Sequence, residues 1–197
     1  MTDRPAQEEA DADIRFLNLA ELEAVLRATA TLASSAAEGE IEPDVRARTD
    51  YAMYLTAAMT GLRQGELRAL RWRDVDWPAS VIRVRRSYTR GKLGRPKSKR
   101  SSRAVPMADR VGGELERHFQ RSVYKGDDDS VFCHPQTGDP YDDSQIRKRF
   151  YDAMKAAKLG DRCGREGEIT FHSLRHTFGT RMAAAGVPMR TLQEWMG

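Results

Sequence analysis

The chain has 197 residues, of which 40% are hydrophobic and 31% charged, as is typical of a globular domain with a core of its own. It contains no run of about 18 apolar residues and opens on no signal peptide, which argues against a membrane or exported protein and leads us to expect a cytoplasmic one. The two cysteines, Cys133 and Cys163, have neither metal-site nor redox-motif spacing, and we expect reduced thiols.

The first third of the chain is predicted to be helical after an acidic, disordered tail over residues 1–13. Asn18 is a candidate cap for a helix whose apolar residues recur at helical spacing. A loop of small and acidic residues separates it from a second helix over residues 44–61, and residues 62–70 form a short third one.

The middle of the chain carries the signals for strands. Residues 81–86 and 103–106 are predicted strands, with a long, basic, glycine-containing hairpin loop over residues 87–102 between them. Residues 109–124 are predicted to be helical, and residues 131–133 form a short extended piece. These segments predict an antiparallel sheet of about three strands.

The last third is predicted to be helical again. Asp143 or Ser144 is expected to cap a long amphipathic helix, and Thr170 or Ser173 a second one that ends at Gly186. A short helix follows over residues 189–196. The predicted fold class is mainly α with a small antiparallel β-sheet (α+β), in one domain.

Charge is distributed very unevenly along the chain, although the formal net charge is only +4. Residues 1–50 contain 12 acidic and 5 basic residues, whereas the remainder carries 28 basic and 17 acidic ones. Residues 81–103 contain ten basic residues and no acidic one. A run this long and of one sign indicates a polyanionic partner, first nucleic acid and second an anionic membrane surface.

Three side chains in two short segments suggest an anion site. Arg63 follows the Thr60-Gly61-Leu62 turn with Glu66 three residues on, and His172 precedes Arg175 by the same spacing at a helix start. Arg63, His172 and Arg175 would form a cationic clamp with Lys97 of the basic loop. This clamp suits phosphoryl transfer, with the lysine acting as general acid. The alternatives are a surface ion pair for Arg63 and Glu66 and a helix-capping role for His172.

Zinc binding by His172 and His176, which are four residues apart, is a weaker alternative. No glutamate lies between them and no third ligand has suitable spacing, so we expect no metal and interpret His176 as a buried helix residue.

Two longer motifs carry a family resemblance. Thr60-Gly61-Leu62-Arg63-Gln64-Gly65-Glu66-Leu67 and His172-Ser173-Leu174-Arg175-His176-Thr177-Phe178 together resemble the phage integrases, or tyrosine recombinases, from about Ile14 to the last residue. The resemblance implies their catalytic-domain fold, that of DNA breaking-rejoining enzymes, over residues 14–197. It also implies a site-specific recombinase that cuts and rejoins double-stranded DNA through a 3′-phosphotyrosyl intermediate, as a homotetramer on paired sites and without cofactor.

The same resemblance implies roles for individual residues. Arg63, His172 and Arg175 match catalytic positions, and Glu66 matches the acidic residue that supports them. Lys97, with Lys99 as the alternative, matches the catalytic lysine of the strand pair that ends in Val105-Pro106. The other candidate DNA contacts are cations of the same loop: Arg90, Lys92, Arg95, Lys99 and Arg100.

In the family, the nucleophilic tyrosine follows the second catalytic arginine, but no tyrosine follows Arg175 in this sequence. The resemblance therefore implies a catalytic domain that is incomplete at its C-terminus and has no nucleophile among its six tyrosines. Such a domain is expected to be monomeric in isolation and inactive in covalent cleavage. The alternatives are a non-catalytic DNA-binding or regulatory derivative of the same fold and, more distantly, a nicking enzyme like the type IB topoisomerases.

Overall fold

Seven α-helices and five short strands make up the described part of the chain, which in this computed structural model comprises residues 15–32, 43–89, 91–94, 102–163 and 169–197. The helices are α1 (Leu19–Leu32), α2 (Pro43–Thr60), α3 (Gln64–Arg68), α4 (Asp109–Arg121), α5 (Asp143–Ala156), α6 (Ser173–Ala184) and α7 (Met189–Met196). The strands are β1 (Val75–Asp76), β2 (Val81–Val84), β3 (Ser87–Thr89), β4 (Lys92–Gly94) and β5 (Arg103–Pro106). The predicted class, mainly α with a small antiparallel sheet, is confirmed.

Helix α2 is the centre of the fold. Residues 52–58 are buried on every side of the helix, because this stretch is made of alanine, methionine, leucine, tyrosine and a threonine whose hydroxyl bonds back to Ala52 O. Helices α1, α4 and α6 pack around it. The ring of Tyr54 meets those of Phe150 and Phe171 edge to face, which joins α2 to α5 and to the segment before α6. These contacts anchor the middle of α2, which continues to its end at Thr60.

The three-stranded sheet has the order β1-β2-β5 and is antiparallel throughout. Burial alternates along β2, with Ile82 and Val84 facing the core, and Ile82 pairs with Val105 of β5. At the far end Val84 pairs with Arg103, which places this arginine where the sheet meets α3.

The prediction of a structureless loop over residues 87–102 is wrong for its first half. Strands β3 and β4 pair with each other as a second, two-stranded sheet, in which Tyr88 lies opposite Leu93. This ribbon packs on α3: a Cβ added to Gly65 would lie 2.2 Å from Tyr88 O, and the Arg68 guanidinium lies over the Tyr88 ring. Packing against α3, which alternation in the sequence does not reveal, stabilises the ribbon.

The predicted helix caps are confirmed in part. Asn18 and Glu21 form a reciprocal capping box at α1, and Gly186 ends α6 in the left-handed region at φ +80°. Asp142, one residue before the predicted candidates, caps α5 by accepting from Ser144 N. Neither Thr170 nor Ser173 caps α6, because the Ser173 hydroxyl instead accepts from Thr170 N in the turn before the helix.

Two further expectations concern the N-terminal tail and membrane-spanning helices. The predicted tail over residues 1–13 lies outside the described residues. Within the described part, none of the helices has both the length and the apolar character needed to cross a bilayer.

Candidate active site

The turn between α2 and α3 presents Arg63. The Thr60 hydroxyl donates to Thr56 O within α2, and Gly61 then reverses the direction of the chain at φ +66°. The extended backbone of Arg63 follows, and its N–H donates to Glu66 Oε2 at 2.8 Å. Glu66 thus fixes the main chain of Arg63 at the start of α3 and contacts its side chain as well, Arg63 Nη1 to Glu66 Oε1 being 3.2 Å.

Glu66 is buried, and its main partner comes from another element. Arg103 of β5 donates to both of its oxygens, at 2.8 and 2.9 Å, and the side chains of both residues are only 5% exposed. Burial alone would raise the pKa of the Glu66 carboxyl, but the hydrogen bonds and charge of Arg103, with those of Arg63, outweigh it and hold that pKa below its usual range. The interpretation of Arg63 and Glu66 as a mere surface ion pair is therefore wrong.

Arg175 reaches the same place from α6. It is buried, and its Nη1 donates to Gly61 O at 2.7 Å, which ties α6 to the turn that presents Arg63. Arg63 Nη2 and Arg175 Nη2 both donate to Gly197 O, at 2.7 and 3.4 Å. Two guanidinium groups, 112 residues apart in sequence, thus converge on a single oxygen.

The electrostatics of this arrangement favour an anion. The pKa of Arg175 is lowered to about 10, first by burial and then by the positive charges of Arg63 and Arg103, which Glu66 opposes in part. The two neighbouring arginines leave positive charge in excess around Arg175, and this excess adds to the effect of burial. An oxyanion bound between Arg63 and Arg175 would relieve that excess.

His172 lies at the surface directly before α6, with its ring perpendicular to that of His176 at 5.0 Å between centroids. Partial desolvation lowers its pKa, and the charges of His176, Arg175 and Arg63 add to this effect, which places it in the field of the arginine pair. The expectation that His176 is buried is wrong, since that residue is exposed. Across the described ranges, no three His, Cys, Asp or Glu side chains are grouped as a metal ion would require.

The basic loop is represented only by its ends. Lys97, its alternative Lys99, and the candidate DNA contacts Arg90, Arg95 and Arg100 lie outside the described residues, whereas Lys92 is exposed on β4. The packing of β3 on α3 places the base of this loop beside Arg63 and Glu66.

Arg103 is the site residue that the sequence did not single out. It was one of ten cations in a run, and nothing in that composition separates a buried cation from exposed ones. Strand periodicity contains the missing signal: Val105 faces the core, so Arg103, two residues earlier, shares its face.

A cavity of about 450 Å³ lies elsewhere, roughly 17 Å along α2 from Thr60 at 1.5 Å per residue. Its lining includes Thr49, His118 and Cys133. Burial lowers the pKa of His118, whose Nε2 lies 2.7 Å from Val131 O, and raises the pKa of the Cys133 thiol to about 11. Charge, rather than cavity size, therefore distinguishes the candidate active site.

Comparison with known proteins identifies the family. A family model described as the phage integrase family matches residues 16–197. A curated relative, the "Tyrosine recombinase XerC-like" protein of Caldanaerobacter subterraneus subsp. tengcongensis, is 31% identical over 169 residues, which cover 74% of this chain and 41% of that protein.

Solved structures share the fold. The XerA recombinase is 29% identical with a TM-score of 0.65, the match covering 92% of this chain and 55% of that one. The Tn1549 transposon integrase in complex with transposon right end DNA is 23% identical with a TM-score of 0.72, covering 96% and 59%. The chain therefore spans less than half of that curated relative and a little over half of these structures.

Proposed function

The chain belongs to the phage integrase family, and on that premise we propose that it forms the catalytic domain of a site-specific DNA recombinase. The observation that carries the proposal is the convergence of Arg63 and Arg175 on one oxygen, Gly197 O, above a buried carboxylate that is already neutralised by Arg103. Two guanidinium groups so placed supply donors for a non-bridging oxygen of a DNA phosphodiester.

In the proposed reaction a tyrosine hydroxyl loses its proton to solvent as its oxygen attacks the phosphorus in line. The bond between phosphorus and the 5′-oxygen breaks, which leaves a 3′-phosphotyrosyl link and a free 5′-hydroxyl. The 5′-hydroxyl of a partner strand then attacks this link, which joins the two strands and releases the tyrosine. Arg63 and Arg175 stabilise the charge that builds on the non-bridging oxygens, and His172 adds a hydrogen bond to one of them. Lys97 protonates the leaving 5′-oxygen.

We assign none of the six tyrosines of this chain as the nucleophile. Tyr54 and Tyr141 are enclosed in the core, where burial raises the pKa of Tyr54 well above its usual value and that of Tyr141 to about 12. Tyr88 lies under the Arg68 guanidinium on β3, and the Tyr124 hydroxyl donates to Gln136 O. Tyr51 and Tyr151 are partly buried against the core. The expected outcome with a nicked suicide duplex is therefore no covalent adduct with this chain, detected by gel electrophoresis under denaturing conditions; an adduct would overturn the assignment.

Duplex DNA is the proposed partner, bound through phosphates, and four copies on two paired sites are the proposed assembly of the intact recombinase. The proposal also places the protein with cellular DNA in the cytoplasm. Lys92 on β4 and the cations of the basic loop are proposed as further phosphate contacts, which fits their exposure where the structure describes them.

Salt-dependent binding tests the proposal directly. Each phosphate contact contributes about 0.9 to the slope of log affinity against log salt concentration, so Arg63→Ala and Arg175→Ala should each lower the slope by about one. Arg117→Ala, which removes an exposed arginine of α4, serves as a control for the loss of a surface charge. Unchanged affinity and slope in both site variants, with their circular dichroism spectra intact, would refute a phosphate site at this place.

A further inference from the structure

Arg103 is a cation held inside the domain at the start of β5. Each of its three guanidinium nitrogens has a partner: Nη1 and Nη2 donate to the two oxygens of Glu66, and Nε donates to Trp195 O at 2.6 Å. One side chain thus joins β5 to α3 and to the last turn of α7. Free carbonyls at a helix C-terminus attract cations, which accounts for the third bond.

We propose that Arg103 is a positioning residue of the arginine pair: it occupies Glu66 so that Arg63 can bind phosphate, and it fixes the end of α7 beside Arg63 and Arg175. This inference rests on the proposed function, since it assigns to Arg103 a task in that same site. Arg103 itself contacts neither DNA nor the reacting atoms in this scheme.

The division of the Glu66 hydrogen bonds supports the proposal. Arg103 supplies two short bonds from its side chain, whereas the Arg63 side chain supplies a single longer one at 3.2 Å. The other end of the Arg63 guanidinium, Nη2, is thereby directed away from Glu66 to Gly197 O. Without Arg103 the buried carboxylate would have only Arg63 to pair with, and the bidentate geometry of an arginine–carboxylate pair would turn Nη2 toward Glu66.

The pair of Arg149 and Asp50 offers a matched control. Arg149 donates to both oxygens of Asp50, at 2.7 and 3.0 Å, and the carboxylate is again only 5% exposed. The pair joins α5 to α2, at a distance along the chain from the α2–α3 turn and from α6, which carry Arg63 and Arg175. Arg149 is 18% exposed, so this ion pair is slightly less enclosed than that of Arg103 and Glu66. A substitution there perturbs a comparable pair without the effect that we assign to Arg103.

A double-mutant cycle tests the proposal. Duplex DNA affinity is measured by fluorescence anisotropy for Arg63→Ala in the wild-type, Arg103→Met and Arg149→Met backgrounds, at a temperature where circular dichroism shows each variant folded. Arg63→Ala should weaken binding about tenfold, or about 1.4 kcal/mol, in the wild-type and Arg149→Met backgrounds, but by less than about twofold in the Arg103→Met background. The pair Arg103→Lys and Arg149→Lys replaces any methionine variant that does not fold, because lysine keeps the charge and loses the bidentate fork.

The outcomes are distinct. An equal effect of Arg63→Ala in all three backgrounds would overturn the positioning role and leave the proposed function standing. No effect of Arg63→Ala in the wild-type background would refute the phosphate site, and the role of Arg103 with it. Hydrogen exchange gives a second readout: the amide of Gly197, which donates to Gln193 O, should exchange faster in Arg103→Met and at the wild-type rate in Arg149→Met.

Discussion

Gly61 is the position where a single methyl group should test the geometry of the site. Its φ of +66° lies in the left-handed region, which L-residues other than glycine adopt at a cost. A Cβ at this position would lie 2.5 Å from Cδ1 of Phe178, an α6 ring that is itself buried. Gly61→Ala therefore combines backbone strain with a steric conflict between the α2–α3 turn and α6.

The two contributions can be estimated separately. Left-handed backbone costs an alanine about 1–2 kcal/mol, and forcing an extra methyl into a packed core about 1–3 kcal/mol, so Gly61→Ala should lower the free energy of unfolding by about 2–5 kcal/mol. Gly186 provides the control, because it has φ +80° and a Cβ there would meet nothing within 4 Å. Gly186→Ala should cost only the backbone part, about 1–2 kcal/mol.

Urea unfolding followed by circular dichroism measures both free energies, with attention to the slope as a check that unfolding remains two-state. DNA affinity should fall in Gly61→Ala even where the protein is folded, because Arg175 donates to Gly61 O and must move with the turn. Gly186→Ala should bind like the wild type. Equal destabilisation by the two substitutions would show that contact with Phe178 does not constrain the turn.

Three further outcomes are expected. In Gly65→Ala the new Cβ would lie 2.2 Å from Tyr88 O, so the substitution should release the β3–β4 ribbon from α3. Hydrogen exchange of the Tyr88 amide should then be faster, and an unchanged rate would contradict this. Because burial holds the pKa of His118 below its unfolded value of about 6.5, the unfolded chain binds the proton first. The free energy of unfolding should thus fall as pH drops below about 6.5, and it should fall less steeply in His118→Gln. The same pH dependence of this free energy in both proteins, measured by urea titration, would refute a contribution from His118. Cys133 is buried and its thiol pKa is raised to about 11, so it should react with a thiol reagent at pH 8 only after unfolding in urea. Cys163 is partly exposed and should react slowly in the folded chain. Rapid labelling of Cys133 in the folded protein would contradict this expectation.

The sequence determined the elements whose signals are local. The Asn18 cap, the apolar spacing of α1 and the glycine stop at Gly186 each depend on residues within a turn or two of one another, and all three are found in the structure. The same holds for the pairing of β2 with β5, where alternation identifies the buried face. The spacing of Arg63 with Glu66 and of His172 with Arg175 was sufficient to indicate an anion site.

Several features escaped prediction because their causes are not local. The β3–β4 ribbon is exposed along β4 and shows no apolar alternation; it is ordered against α3, a contact that requires Gly65. His176 was expected to be a buried helix residue instead of a zinc ligand, yet the rotation of α6 that buries Arg175 turns His176 outward.

Taken by itself, the sequence determined the fold class, the family motifs and the side chains able to bind a phosphate, because these depend on residue identity and short spacing. Only the tertiary structure decided how those side chains are divided among partners. A run of ten cations has the same sequence pattern whether its members are solvated or buried. The pairing of Arg103 with Glu66 depends on where β5, α3 and α7 meet. That meeting leaves Arg63 and Arg175 with hydrogen-bond donors directed at one oxygen, which no one-dimensional pattern contains.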